Sequence, residues 1–165
     1  MDIVGVAAVD KNNIIGDGDN LPWSSIAADK RQYRETVADS PVILGRKTYE
    51  LMRDDLPGRS QIVLTRSKEY SSDDKSAQIV HSRTDAIASA RRLNEHAVYV
   101  LGGASIYRLF LSTMSHLRLS RINGEYSGTH TFPTIDLERW TLQEERPYQD
   151  FTLELWRRND NQLSH

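Results

Sequence analysis

Short apolar runs alternate with amphipathic stretches along most of the chain. The runs have the length of strands, and a nearly unbroken apolar run is typical of a strand covered on both faces. The stretches between them carry apolar residues at helical spacing. The predicted strands are Ile3–Val9, Val42–Leu44, Gln61–Thr65, Gln78–His81, Val98–Leu101 and Leu117–Ile122. Three predicted helices are Ala28–Val37, Gly45–Met52 and Ser105–Leu111. A fourth begins at its cap, Thr84, and its apolar stripe is Ala86, Ala90 and Leu93.

The end of the chain has a different pattern. Trp140–Glu144 and Phe151–Trp156 alternate between apolar and polar residues, which predicts two antiparallel strands. Strands that alternate with helices, followed by two such strands, predict an α/β fold. We expect a mostly parallel central sheet of about eight strands with an antiparallel C-terminal edge strand, flanked by about four helices. With no repeat or linker in the chain, residues 1–165 are predicted to form a single domain.

The first predicted helix places a carboxylate on the face that its pattern marks as buried. Asp29, Tyr33 and Val37 recur at i, i+4 and i+8, so the three side chains share one face. The other faces carry side chains that we expect in solvent: Lys30, Arg31, Gln32, Arg34 and Glu35. A carboxylate among apolar groups needs hydrogen-bond donors, and a ligand is one candidate because that face has no cation at helical spacing. The alternative is a helix cap, since an acid in the first turn also accepts from free backbone amides.

Two of the predicted strands end in glycine and lead directly into a helix. The junctions are Leu44-Gly45-Arg46-Lys47-Thr48 and Leu101-Gly102-Gly103-Ala104-Ser105. Each places free backbone amides beyond the carboxyl end of a strand, where open α/β sheets bind ligands. Arg46, Lys47 and Thr48 suit a phosphate. Arg66 follows the strand that ends at Thr65 and offers a further cation. Neither junction is a Walker A or Gly-x-Gly-x-x-Gly loop, and a tight turn would explain either of them alone. The presence of two such junctions in one chain favours a site that binds a dinucleotide.

A guanidinium stands at the start of another predicted strand. Arg59 follows Pro57-Gly58, and a rigid turn that presents an arginine suits a bidentate bond to a carboxylate. A solvated surface arginine is the alternative. Hydrolytic chemistry has little support, because the chain lacks the Gly-x-Ser-x-Gly elbow of a serine nucleophile.

Composition excludes several classes of site and partner. The chain has 0 cysteines, which rules out disulfides, thiolate metal sites and a thiol nucleophile. Its 5 histidines show no metal-binding spacing, so we predict no metal site. The net charge of −2 gives no electrostatic footprint for nucleic acid or for an anionic membrane. With no signal peptide and no apolar run of membrane length, the expected location is the cytoplasm.

These features, in this order and spacing, resemble the dihydrofolate reductase family along the whole chain. The matching segments are Val6-Ala7-Ala8, Ile15-Gly16, Leu21-Pro22-Trp23, Ala28-Asp29 with Tyr33, Pro41 to Thr48, Leu56 to Arg59 and Gly102 to Tyr107. The resemblance implies NADPH-dependent reduction of 7,8-dihydrofolate to 5,6,7,8-tetrahydrofolate, by hydride transfer to pterin C6 with protonation at N5. It also implies a role in one-carbon metabolism and in the supply for thymidylate and purine synthesis, inhibition by antifolates, and a monomer that binds small molecules.

The resemblance further implies roles for individual residues. The residues with implied catalytic roles are Asp29, Trp23 and Leu21. The residues with implied folate contacts are Val6, Ala7, Asp29, Tyr33, Met52, Arg59 and Ser120. The residues with implied NADPH contacts are Ala8, Ile15, Gly16, Gly45, Arg46, Lys47, Thr48, Thr65, Arg66, Gly102, Gly103, Ala104, Ser105, Ile106 and Tyr107. By this resemblance Asp29 bonds the N3 and 2-amino groups of the pterin, Arg59 grips the α-carboxylate of the glutamate tail, and the Gly102-Gly103 peptide is cis.

The chain departs from the family pattern in the loop that normally supports the lid. The usual Gly-Asp-Thr reads Gly128-Thr129-His130, and the missing aspartate normally helps to hold the lid closed. Two other functions stay open. A related NADPH-dependent reductase of riboflavin synthesis shares the fold but would not need both Asp29 and Arg59. A catalytically silent nucleotide-binding module would keep the glycine junctions without a use for Asp29.

Overall fold

The computed structural model describes residues 1–15, 22–94 and 96–159, and within these ranges the chain forms ten strands and four helices. The strands are β1 Asp2–Val9, β2 Ile14–Ile15, β3 Pro41–Gly45, β4 Ser60–Leu64, β5 Ala77–Val80, β6 Ala97–Val100, β7 His116–Ile122, β8 His130–Thr131, β9 Trp140–Pro147 and β10 Phe151–Arg158. The helices are α1 Ala27–Val37, α2 Arg46–Leu51, α3 Arg83–Leu93 and α4 Ala104–Phe110.

Eight of the described strands form one sheet, in the order β5-β4-β3-β6-β1-β7-β10-β9. Neighbouring strands are parallel from β5 to β7, and β10 runs antiparallel to both β7 and β9. The arrangement confirms the predicted fold class. The carboxyl ends of β3, β6 and β1 therefore lie side by side at one edge of the sheet. The sequence pattern does not reveal the small sheet of β2 and β8, because strands of two residues are too short for a periodic signal.

Helices cover both faces of the central sheet, as the unbroken apolar strands predict. Val37 of α1 packs in one buried cluster with Leu44 of β3. The opposite face holds a second cluster, in which Ala90 of α3 and Phe110 of α4 pack with Ile43 of β3. Successive strand residues point to opposite faces, so β1, β3 and β4 contribute buried side chains to both clusters. The face that α1 covers is the one that carries Asp29.

The prediction for α3 was wrong at the N-cap and at the last residue of the apolar stripe. Ser82, rather than Thr84, is the N-cap, because it has extended backbone and its Oγ accepts from the backbone N of Asp85 at 3.0 Å. Ala86 is fully buried as predicted, whereas Leu93 is 49% exposed at the last position of the helix. The contact between this helix and the sheet is therefore shorter than the sequence pattern indicates.

A buried acid ties the end of β1 to two other segments. Asp10 is 0% exposed, and its Oδ1 accepts from the backbone N of Asn12 and of Ile14, both at 2.8 Å. Its Oδ2 accepts from the backbone N of Tyr126 at 2.8 Å. Backbone amides thus satisfy this carboxylate, which fixes the start of β2 and the segment that leads to β8.

We expect Asp10→Ala to lower the free energy of unfolding by about 3 kcal/mol or more, because three backbone amides lose a charged acceptor. Urea denaturation followed by circular dichroism measures the change. Asp39→Ala removes an exposed carboxylate just after α1 and is the matched control, with an expected change within about 0.5 kcal/mol. A loss below about 1 kcal/mol for Asp10→Ala would contradict the anchoring role.

Candidate active site

The first turn of α1 holds Asp29 between two hydrogen-bond donors. The N-cap of α1 is Ile26, which makes no side-chain cap, and the half-buried Asp29 lies two residues inside the helix. Its Oδ1 accepts from Ser120 Oγ at 2.5 Å and from Gln32 Nε2 at 2.9 Å. Both donors are side chains, so these contacts do not follow from helix capping. The capping interpretation therefore does not account for the contacts of Asp29.

Gln32 corrects the expectation that its side of α1 faces solvent. It is half-buried, and besides Asp29 its Nε2 donates to Ser120 Oγ at 3.3 Å while its Oε1 accepts from Arg118 Nη2 at 3.3 Å. Ser120 and Arg118 are two positions apart on β7, so they point to the same face of the sheet, toward α1. The i, i+3 spacing of Asp29 and Gln32 was the sequence signal for this contact. Nothing in the sequence placed Arg118 beside them.

Apolar side chains flank the carboxylate along β1 and α1. Val6 is buried, and the half-buried Tyr33 and Met52 pack on the cluster that contains it. Ala8 packs on a neighbouring cluster with Trp23, which is 8% exposed. Burial raises the pKa of the Tyr33 hydroxyl, which keeps that hydroxyl neutral. The structure thus brings five of the predicted site residues into two adjoining clusters on the side of the sheet that α1 covers.

The two glycine junctions lie against each other. Gly45 N donates to Gly102 O at 2.9 Å, across the paired ends of β3 and β6. The Gly102-Gly103 peptide is cis, which confirms the expectation from the family resemblance. Gly102 has φ +110°, and a Cβ there would lie 2.9 Å from the Tyr107 hydroxyl oxygen, so glycine is required at this position. At Gly103 a Cβ would come no nearer than 3.7 Å to Thr48 Oγ1, which leaves the backbone open on that side.

Tyr107 joins the glycine junction to the strand next to Asp29. Its hydroxyl oxygen lies 2.6 Å from Val6 O and 3.0 Å from Leu101 O, and its single proton is shared between these two carbonyl acceptors. Burial raises the pKa of this hydroxyl, so it remains a neutral donor. Ile106, Ile15 and Ala7 belong to the buried cluster that contains Tyr107, so the side chain of Ala7 faces away from the cluster of Val6.

Charged and polar side chains surround the ends of β3 and β4. Arg46 forms an ion pair with Glu50 at 3.3 Å, Lys47 is exposed, and Arg66 is exposed at the end of β4.

Thr65 is buried, and its carbonyl lies 2.9 Å from His81 Nδ1. A carbonyl only accepts, so Nδ1 carries a proton in this contact. His81 is not among the predicted site residues; the adjacent parallel strands β4 and β5 bring it to this edge. Two residues of the second junction begin α4, Ala104 half-buried and Ser105 exposed.

Arg59 extends from a tight turn before β4. Gly58 has φ +79°, and a Cβ there would lie 2.7 Å from Val42 Cγ1, so the turn needs glycine. Arg59 N donates to Ser40 O at 2.9 Å, which fixes the backbone, while the side chain is exposed. Across the described ranges, no acidic side chain forms an ion pair with this guanidinium.

Two predicted site residues, Gly16 and Leu21, lie outside the described residues. In the part of the chain that the structure covers, no helix is long and apolar enough to cross a membrane. Within the same residues, no three His, Asp or Glu side chains group together in a way that could hold a metal ion.

Comparison with known proteins gives consistent results. The sequence profile described as dihydrofolate reductase matches residues 2–155. The dihydrofolate reductase of Lactococcus lactis subsp. lactis is 34% identical over 146 residues, which cover 87% of this chain and 86% of that protein. Dihydrofolate reductase 1 of Haloarcula marismortui is 32% identical over 165 residues, 91% of this chain and 88% of that protein. The structure of Enterococcus faecalis dihydrofolate reductase complexed with NADP(H) and RAB-propyl superposes with a TM-score of 0.85 at 25% identity, covering 96% of this chain and 97% of the other.

The profile match extends from β1 into β10 and includes Asp29, Arg59 and both glycine junctions. The relatives are matched over most of their own length, so the similarity is not confined to one motif. Together with the shared fold, this confirms the resemblance inferred from the motifs. The chain belongs to the dihydrofolate reductase family.

Proposed function

We propose that this chain reduces 7,8-dihydrofolate to 5,6,7,8-tetrahydrofolate, with NADPH as the hydride donor and with Asp29 as the residue that orients the pterin. As a member of its family, the chain is an oxidoreductase that uses NADPH. The observation that carries the assignment of Asp29 is its geometry: it is a half-buried carboxylate, held by Ser120 and Gln32, beside the cluster of Val6. The Tyr107 hydroxyl links the backbone of Val6 to that of Leu101 at the second glycine junction.

Asp29 suits a pterin because the N3–H and 2-amino groups of that ring are hydrogen-bond donors. A carboxylate accepts from two such donors in parallel, and charge-assisted bonds of this kind are roughly twice as strong as neutral ones. Ser120 and Gln32 both donate to Oδ1, so Oδ2 takes part in neither of these bonds. Val6, Tyr33 and Met52 offer the apolar surface that the pterin and benzoyl rings require, and we assign Ala7 to the same contact through its backbone.

The glycine junctions fit a dinucleotide. The open side of Gly103 and the junction at Gly45 provide backbone surface at the carboxyl ends of β6 and β3. Arg46, Lys47 and Thr48 stand beside the first junction for the phosphates, and we assign Thr65 and Arg66 to the 2′-phosphate that distinguishes NADP from NAD. When bound, the reduced nicotinamide supplies the hydride that reaches pterin C6. The remaining assigned contacts are Ala8, Ile15, Gly16, Gly102, Ala104, Ser105, Ile106 and Tyr107.

Asp29 also affects the protonation of the pterin at N5. Asp29 holds the pterin in one orientation and, as an anion, favours protonation of the ring, with water as the carrier of the proton. The buried Trp23 and, by the family resemblance, Leu21 cover this region. Apolar cover strengthens the interaction between the carboxylate and the ring because it lowers the local dielectric.

An assay of NADPH consumption tests the proposed function. Adding dihydrofolate to the protein and NADPH is expected to cause oxidation of NADPH, and a diaminopyrimidine antifolate is expected to stop it. Absence of turnover would refute the proposal. NADPH binding without turnover on any substrate would indicate the silent nucleotide-binding module, and turnover of a ribosylamino-pyrimidine alone would indicate the reductase of riboflavin synthesis.

We propose in addition that the chain acts as a cytoplasmic monomer of one domain with small-molecule ligands and no nucleic-acid partner. The continuous family match over residues 2–155 supports one domain, and the net charge of −2 supports the absence of a nucleic-acid partner. Light scattering coupled to size exclusion measures the mass; a dimer mass would contradict the monomer.

A further inference from the structure

A line of polar contacts leads from Asp29 to a half-buried arginine of β7. Gln32 stands in the middle, with Nε2 at 2.9 Å from Asp29 Oδ1 and Oε1 at 3.3 Å from Arg118 Nη2. Arg118 Nε is buried and without a hydrogen-bond partner. Among the described residues, no carboxylate forms an ion pair with this guanidinium. Gln32 is therefore the polar group to which Arg118 donates on the side of Asp29.

Arg118 fixes the orientation of the Gln32 side-chain amide. A glutamine amide has a donor end and an acceptor end, whereas a guanidinium only donates. Arg118 therefore holds Oε1 toward β7, and the NH₂ group is left to donate to Asp29 and to Ser120. The reversed amide would face Arg118 with a second donor and face the carboxylate with an oxygen, which are two repulsive contacts.

We propose that Gln32 and Arg118 are positioning residues of the active site: Arg118 orients the Gln32 amide, and Gln32, together with Ser120, holds the Asp29 carboxylate in place. The proposal rests on the proposed role of Asp29 toward the pterin. It adds a pair of side chains that set the geometry of the residue that binds the ring.

Among the described residues, Gln32 and Ser120 are the side chains that donate to the Asp29 carboxylate. Asp29 also interacts electrostatically with the hydroxyls of Tyr33 on its own helix and of Tyr107 on α4. Burial raises the pKa of both hydroxyls, so both stay neutral. The β1 side chains Val6 and Ala8 on this face are apolar. The orientation of the Gln32 amide therefore determines whether Asp29 keeps its second donor.

The affinity for a diaminopyrimidine antifolate, whose ring donors match those of a pterin, tests the proposal without turnover. We expect Gln32→Met to raise the Kd of the antifolate by about tenfold or more, because the carboxylate that accepts from the ring loses one of its two side-chain donors. Isothermal titration calorimetry measures the Kd. Arg31→Met removes an exposed arginine from the same helix and should leave that Kd unchanged. An unchanged Kd in Gln32→Met would overturn the role of Gln32.

The role of Arg118 is tested by combining variants. Arg118→Met should raise the Kd of the antifolate when Gln32 is present and should add little to the effect of Gln32→Met. Equal effects with and without Gln32 would show that Arg118 acts as a remote charge, and that result would overturn the orienting role. Arg118→Lys, which keeps a donor on the strand, should restore most of the wild-type affinity and serves as the second variant if the methionine variants do not fold.

Activity measurements separate this proposal from the function itself. In Gln32→Met and Arg118→Met the KM for dihydrofolate should rise, while the Kd for NADPH stays unchanged. Failure of the wild-type protein to reduce dihydrofolate would refute the proposed function and leave the antifolate-binding result standing. Wild-type turnover with an unchanged KM for dihydrofolate in both variants would refute the positioning roles alone.

Discussion

Asp29→Asn should lower kcat/KM for dihydrofolate by about 10²–10⁴-fold and leave the Kd for NADPH unchanged. Asparagine keeps an oxygen that can accept from Ser120 and Gln32, so the local fold should persist. It loses the negative charge that favours protonation of the pterin, and its NH₂ group cannot accept from the ring donors. Stopped-flow measurement of hydride transfer and a fluorescence titration with NADPH supply the two quantities.

The exposed Glu35 of the same helix provides the control for this variant, because Glu35→Gln removes one negative charge from α1 at a position in solvent. It should change neither quantity. A parallel loss of NADPH affinity in Asp29→Asn would show that the carboxylate supports the structure of the helix start instead of the chemistry.

Arg59→Ala should raise the KM for dihydrofolate by about 10- to 100-fold, since a bidentate contact with a carboxylate contributes roughly 1.5–3 kcal/mol. The KM for a pterin without the glutamate tail should not change. The turn at Gly58 and the bond from Arg59 N to Ser40 O involve only backbone, so the substitution leaves them intact. Steady-state kinetics with the two substrates measures the difference.

Arg53→Ala is the matched control for Arg59, because it removes an exposed arginine that already pairs with Asp73 at 2.8 Å. Both KM values should stay at the wild-type level in this variant. If Arg59→Ala raised both KM values to the same extent, its guanidinium would not be the group that recognises the tail.

The inner strands β1, β3 and β6 were predictable because each is a short, almost unbroken apolar run. The glycine junctions were recognisable for the same reason, since a glycine just after such a run is conspicuous. Their contact through Gly45 N and Gly102 O was not, because it depends on the strand order, which local patterns do not encode.

The part of the site that escaped prediction is the part built across the sheet. On the helix alone, Gln32 belongs with its charged neighbours, and only the placement of β7 beneath α1 makes it a buried contact. Arg118 and Gln32 lie far apart in the chain, and a half-buried arginine has the same sequence signature as an exposed one. The N-cap of α3 was predicted two residues too late, because Ser82 and Thr84 are both suitable cap residues and the sequence does not show which one has the extended backbone.

The position of β6 in the sheet has a consequence for how the protein is made. β6 lies between β3 and β1, so these two strands, although synthesised early, have no direct pairing with each other. In a nascent chain that does not yet include β6, no strand pairs with both β3 and β1. The backbone N of Gly45 then also lacks its acceptor, Gly102 O. The contact between the two junctions, where we propose that the dinucleotide binds, therefore forms only after β6 has been synthesised. Until then the exposed edges of β1 and β3 are the places where a partly made chain is most open to pairing with the wrong strand.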